Sequence, residues 1–216
     1  MAGRVEAFSK LLLGRPYRAE PLGGSPDGSE LFTASLAGFD CVTYVETVLA
    51  LSLAATPEEF TLWLRRIRYE DGRVEWARRN HYMTGWVRSN ARIGVVRPLS
   101  AAGLENRKER VLDVVPGLPP RRVGFSCVPK RELGKLARRL LTGDLIFFAS
   151  TRPHLDVFHC GILVRDGDRL QLRHAARSRQ GTVEEDLSGF LGENRMAGVL
   201  VVRPLPESGK GSKGSP

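Results

Sequence analysis

The segment that most constrains this chain begins at Asp40-Cys41. Residues 42–55 are mostly apolar and contain neither Gly nor Pro. A run of that length between turn signals reads as a helix rather than a strand. Its apolar residues surround the helix instead of forming a stripe, which predicts burial on all sides. Asp40 is a good N-cap, so Cys41 becomes the first helical residue. There the unpaired backbone N–H groups and the helix dipole favour thiolate over thiol. A reactive cysteine is mounted in this way. Cys41 by itself leaves a second reading open, a small buried core residue.

Downstream, Asp156-Val157-Phe158-His159-Cys160-Gly161-Ile162-Leu163-Val164-Arg165 is β-rich, and Arg169-Leu170-Gln171-Leu172-Arg173-His174-Ala175-Ala176 follows Asp166-Gly167-Asp168. Asp-Gly signals a two-residue hairpin turn. With Asp166 and Gly167 as the loop, Arg165 faces Asp168 and His159 faces His174, their Cβ atoms about 5 Å apart. The inference depends on register, because a one-residue slip sends one histidine to the other face. Cys160 alternates with His159 and is expected on the opposite face, in the core.

One thiolate and two imidazoles are the parts of a cysteine hydrolase. The first imidazole serves as base, and a second polar group orients it. A histidine pair that merely packs across two strands is the bland alternative. A zinc site of Cys41, His159 and His174 is another, although the chain has no CxxC and no HExxH.

The order of Cys41, His159-Cys160-Gly161-Ile162 and His174-Ala175 resembles the papain-like cysteine peptidases of the NlpC type, which act on bacterial cell-wall peptides. Leu13-Gly14-Arg15-Pro16-Tyr17 is similar to the Gly-x-Pro-Tyr segment that precedes the nucleophile there. More specifically, the chain resembles the N-acetylmuramoyl-L-alanine amidase-like branch. The likeness is carried by Phe39-Asp40-Cys41-Val42-Thr43-Tyr44-Val45-Glu46, Ile67-Arg68-Tyr69-Glu70-Asp71-Gly72, Asn80-His81-Tyr82-Met83-Thr84-Gly85-Trp86, Gly143-Asp144-Leu145-Ile146, the stretch from Leu155 to Ile162, and Arg203-Pro204. The resemblance implies Cys41 as nucleophile, His159 as base and His174 as the orienting third member. It places Tyr17 beside the nucleophile to hold oxyanion or substrate. The implied reaction is cleavage of the amide between the lactyl group of muramic acid and L-alanine, with no cofactor. A D-glutamyl–diaminoacid endopeptidase and a non-catalytic wall-fragment binder are the alternatives. A lipid acyltransferase fits less well, since in the related permuted proteins the His precedes the Cys. The chain departs from the family pattern at Cys160, where an apolar residue is usual, and at Met83, where an aromatic is more frequent.

The remaining candidates have more than one reading. His81, Tyr82 and Trp86 line a substrate cleft or form an aromatic helix face against the sheet. Asp40 caps its helix or contacts substrate. Asp156 fixes the loop before the base strand or orients a histidine. Glu46 shares the polar side of the nucleophile helix with Thr43, and His154 sits in a Pro-containing loop.

With 216 residues, one domain over 1–205 is expected. Within it, 56–125 reads as a helical and irregular insertion lining the cleft, and 206–216 as a disordered Gly/Ser/Lys tail. Helices come first and strands later, which predicts an α+β fold of papain-like NlpC type. In it the helical N-terminal half, carrying the nucleophile helix, packs on a C-terminal antiparallel sheet. The expected elements are helices at 4–13, 41–55, 56–67, 76–90 and 183–191, and strands near 93–96, 110–115, 122–128, 144–149, 157–165, 169–175 and 198–203.

The net charge of +9 raises nucleic-acid binding, but no binding motif or aromatic-interleaved basic stretch supports it. Basic residues near a cleft would instead steer an anionic wall fragment. No apolar run reaches 18 residues, so no transmembrane helix is expected. No signal h-region is visible, which reads as cytoplasmic unless a leader precedes. Cys41, Cys127 and Cys160 suggest no disulfide framework, and a monomer acting on a muropeptide is the expected form.

Overall fold

The structure, a computed structural model, describes residues 1–101 and 103–206. Residues 207–216 of the expected tail lie outside the described residues. Six antiparallel strands form the main sheet, in spatial order β1 (Val96–Pro98), β8 (Gly198–Pro204), β4 (Leu145–Ala149), β5 (Val157–Asp166), β6 (Arg169–Ala176) and β7 (Gly181–Asp186). A separate hairpin joins β2 (Asn106–Leu112) and β3 (Arg121–Cys127).

Helix α2 (Cys41–Leu53) packs against β5 and β6, flanked by α1 (Ala2–Leu11) and α3 (Pro57–Arg68). Every residue of α2 except Cys41, Val42 and Leu51 is buried, as its all-round apolar sequence predicts. Thr56 caps α3 by accepting from the Glu59 N–H, with Pro57 at the first helical position, matching the start signal in the sequence. On the other face of the sheet lie α5 (Leu133–Ala137) and α6 (Leu187–Glu193). Strand β4 therefore has both faces covered. Leu145 and Phe147 join the core under α2, while Ile146 and Phe148 join the core with Leu136 and Phe190. This accounts for its uninterrupted apolar sequence.

Several boundaries differ from the sequence expectations. The helix expected over 76–90 is a single 3-10 turn, Trp76–Arg78, followed by α4 (Met83–Arg92). The strand expected near 110–115 begins at Asn106 and ends at Leu112. The larger correction concerns 183–191. Residues 181–186 are strand β7, and the helix begins only at Leu187. Val183-Glu184-Glu185-Asp186 carries too many acids to read as a strand, and pairing with β6 overrides that weak local preference.

The hairpin register also differs. The loop is Gly167-Asp168, with Asp166 paired to Arg169 and Ile162 to Arg173. Gly167 takes the position that needs positive φ (57°), the requirement of a two-residue hairpin turn, and this shifts the pairing by two residues. His159 and His174 are therefore not directly opposite. A two-residue shift keeps the face, so they remain diagonal neighbours.

Candidate active site

Cys41 is the first residue of α2, held there by a capping box. The Asp40 carboxylate accepts from the Thr43 N–H at 2.7 Å, and the Thr43 hydroxyl accepts from the Asp40 N–H at 3.0 Å. The thiol is half-buried and lines a small cavity of about 80 Å³ with His159, Cys160, Asp156 and His81.

His159 reaches this point because β5 is irregular there. Phe148 of β4 pairs with His159 and Ala149 with Val157, so Phe158 is an extra residue, a bulge that re-aims the strand. The registered ladder between β5 and β6 runs from Asp166–Arg169 to Ile162–Arg173. Gly161 lies just past its end, and a Cβ there would come within 2.6 Å of Leu172 and 3.1 Å of the His174 Cβ. The bare glycine leaves room for the two imidazoles to meet. Their nitrogens, His159 Nε2 and His174 Nδ1, are 2.5 Å apart, with the rings edge to face. Phe148 and Phe190 stack on His159 and keep its ring from swinging.

The series has a member that sequence reading missed. Glu185 on β7 accepts from His174 Nε2 at 2.7 Å, and Arg179 reaches its other oxygen at 3.3 Å. This link crosses one strand diagonally, as the His159–His174 link does. Reading 183–191 as helix hid it. The usable signal was the acidic residue two positions beyond the cross-strand neighbour of His174.

Proton positions follow from these contacts. A carboxylate only accepts, so His174 carries its proton on Nε2. Its Nδ1 must then accept, from a proton on His159 Nε2. His159 Nδ1 is left free to serve the Cys41 sulfur. Both ring nitrogens of His174 are engaged in hydrogen bonds. Among the described residues, no group of three or more His, Cys, Asp or Glu side chains is arranged to hold a metal.

The electrostatics agree with this assignment. The adjacent Cys160 thiol, followed by contact with the His159 imidazole, holds the Cys41 thiol well below its ordinary range despite burial. Burial, and then the charge on His159, pushes His174 down to about 4, so it is neutral near pH 7. Burial, and then the Cys41 charge, raises Asp40 to about 6. Burial, with Cys41 and Asp40 nearby, raises the Tyr17 phenol, which therefore stays an O–H donor at neutral pH. A parallel bridge between Tyr17 and Phe39 sets Tyr17 beside the start of α2.

The other candidates divide. His81 lines the Cys41 cavity and two larger ones of about 470 and 460 Å³, so it stands where the three meet. Its Nε2 donates to the Trp76 carbonyl at 2.7 Å. Tyr82 lines the larger cavity and its hydroxyl accepts from the Val114 and Val115 N–H groups, tying down the chain after β2. Asp156 is buried and accepts from the Thr84 N–H and hydroxyl and from the Val157 N–H, which anchors the loop before the base strand to α4. Trp86 is not brought to the cleft. It is 1% exposed, packs on Phe147 and donates to Glu46. Glu46 is buried in an ion pair with Arg68. His154 is exposed and bonds Asp113.

A thiol at a helix N-terminus, an imidazole beside it and a carboxylate-backed imidazole behind that are what nucleophilic acyl transfer requires. The mixed helix and antiparallel-sheet fold that carries them is shared with solved amidase-like structures. A N-acetylmuramoyl-L-alanine amidase from Bacteroides uniformis ATCC 8492 aligns with a TM-score of 0.78 at 24% identity, over 94% of this chain and 98% of that one. Protein LPG0564 from Legionella pneumophila aligns with a TM-score of 0.82 at 20% identity, over 95% and 89%. At these identities the likeness concerns the fold alone. The chain belongs to the AmiA-like family, described as N-acetylmuramoyl-L-alanine amidase-like, whose family model matches residues 7–199. No curated protein matches the chain.

Proposed function

We propose that the protein is a cysteine-dependent amide hydrolase of papain-like NlpC type that cleaves the bond between N-acetylmuramic acid and L-alanine in cell-wall fragments. Family membership supports the amidase reading. The observation that carries the cysteine mechanism is that Cys41 and His159 line one small cavity while His159, His174 and Glu185 are hydrogen-bonded in line.

In this mechanism the Cys41 thiolate attacks the lactyl carbonyl. The Cys41 N–H at the helix start and the Tyr17 hydroxyl stabilise the oxyanion. Losing one such donor costs about 3 kcal/mol of barrier. His159 protonates the departing amine of L-alanine through Nδ1. Neutral His174, fixed by Glu185, holds His159 by its other nitrogen and shares the positive charge that forms. Water, deprotonated by His159, then resolves the thioester. Substrate enters through the cavities that meet at His81. One of these is lined by Arg78, Arg79, Arg88, Arg92 and Arg121, which suits the carboxylates of a stem peptide.

The test is mass spectrometry of defined muramoyl-peptides, with intact and with anhydro sugar ends, after incubation with the protein. Release of a peptide beginning with L-alanine is expected. Cleavage further along the peptide would replace the amidase with the endopeptidase, and no cleavage would count against both. Cys41→Ala is expected to abolish turnover while the circular dichroism melt stays cooperative. Retained turnover would remove Cys41 as nucleophile.

A further inference from the structure

Cys160 is one of the two positions at which the sequence departs from the pattern it resembles, and the mechanism above gives it no chemical step. It is 1% exposed and lies on the α2 side of β5, opposite to His159. Its thiol donates to the Cys41 carbonyl oxygen at 3.3 Å, and both cysteines line the same small cavity. Cys127, the third cysteine, is buried elsewhere, with its thiol directed at the Ala197 carbonyl.

From this juxtaposition we infer that Cys41 and Cys160 form a peroxide-sensitive dithiol, in which Cys160 captures oxidised Cys41 as a reversible disulfide. In the first step the Cys41 thiolate attacks hydrogen peroxide. An S–O bond forms, the O–O bond breaks, and the departing hydroxide takes a proton and leaves as water. The sulfur becomes a sulfenic acid, oxidised by two electrons, and the peroxide is reduced. In the second step the Cys160 sulfur attacks that sulfenic sulfur. An S–S bond forms, the S–OH bond breaks, and the hydroxide leaves as water with the proton from the Cys160 thiol.

The order of events is built into the site. Cys41 is the more exposed of the two thiols and carries thiolate character. Cys160 is held as a thiol, chiefly by its hydrogen bond to Cys41, then by burial and by the Cys41 charge. Conversion of Cys41 to a neutral sulfenic acid removes the Cys41 charge from these causes. Of the two thiols, Cys160 is thus the less acidic until Cys41 is oxidised. Water-excluding core behind Cys160 leaves the sulfenic acid no closer thiol partner among the described residues.

The inference rests on the placement of the two thiols and not on the identity of the substrate, so its readout is chemical. The purified protein is treated with hydrogen peroxide, alkylated, digested and analysed by mass spectrometry, with iodoacetamide labelling of Cys41 followed before and after dithiothreitol. The expected result is a Cys41–Cys160 linked peptide, with full return of Cys41 labelling on reduction. In C160V the linked peptide is lost, and Cys41 passes to sulfinic and sulfonic acids that dithiothreitol does not reverse. C127S should leave the linkage unchanged. Over-oxidation of Cys41 in the wild-type protein as fast as in C160V would overturn the inference. So would a linkage that runs to Cys127. Because the wild-type chain itself must show the linkage, a folding defect in C160V would not rescue the idea.

Discussion

At the scale of residues, one carboxylate determines the direction of a chain of proton donors. Glu185 accepts from His174, His174 accepts from His159, and the nitrogen left over on His159 is available to Cys41, which lines the same cavity. Glu185→Ala frees His174 to take its other tautomer, which turns the His159 nitrogens the wrong way round. The expected loss in kcat is about tenfold to a hundredfold, the range for outer partners that orient a working imidazole. A structural role alone would lower the melting temperature without altering the pH profile of Cys41 alkylation, whereas this role moves both. Two residues of the site also oppose each other in acid. His174 is lowered from 6.5 to about 4 in the fold, so the unfolded chain binds more protons in that window and stability is lost as pH falls through it. Asp40 is raised from 3.8 to about 6, so the folded protein binds more protons there and stability is gained as pH falls. The two contributions offset one another. Asp40→Asn keeps a capping side chain but removes the second contribution. Its stability should therefore fall more steeply than the wild type between pH 6.5 and 4, as measured by urea titration at several pH values. A parallel dependence would show that Asp40 does not hold its proton as described.

Among the elements, α2 is positioned by a buried ion pair as much as by apolar packing. Glu46 of α2 bonds Arg68 of α3 at 2.7 Å, both side chains no more than 3% exposed, and also accepts from Trp86 of α4. Arg68 in turn donates to the Thr33 carbonyl, in the loop that leads to Cys41. Arg68→Ala leaves a buried carboxylate without its cation and should cost about 3–5 kcal/mol by chemical denaturation. Restoring a neutral partner set with the double variant Arg68→Met, Glu46→Leu should recover much of that loss. A single variant within 1 kcal/mol of wild type would mean that water reaches Glu46 and that the pair does not anchor the helix. The sequence showed this helix, its cap and its burial clearly, because Asp40, Cys41 and the long apolar run are local signals. It showed the two histidine strands as well. It misplaced their register by two residues because Asp166-Gly167 and Gly167-Asp168 both read as turns, and only the strand pairing chooses between them. It lost β7 because a strand whose partner lies on the sheet can carry three acids in a row.

Across the whole molecule, part of the positive charge lines a cavity beside the candidate site. The formal charge is +9, and five arginines line the larger cavity that meets the Cys41 cavity at His81. Among the described residues, Arg88 and Arg121 make no ion pair, whereas Arg78, Arg79 and Arg92 face acids. An anionic muropeptide should be drawn in by this field. Its kcat/KM is expected to fall severalfold as ionic strength rises from about 0.05 to 0.5 M, with kcat nearly constant, since screening weakens encounter but not the buried site. A kcat/KM that ignores salt would remove steering from the account. No described helix is long and apolar enough to cross a membrane. The sequence by itself determined the helix that mounts the thiol and pointed to the chemistry proposed above, because capping, apolar runs and residue types act over a few positions. It also brought both histidines to one face, since the register that formed differs from the expected one by two residues, an even number. The tertiary structure alone decided that His174 is backed by Glu185, that Trp86 belongs to the core, and that Cys160 lies against Cys41. These are contacts between segments from 11 to 119 residues apart, and they exist only once the sheet has chosen its partners and α2 has settled upon it.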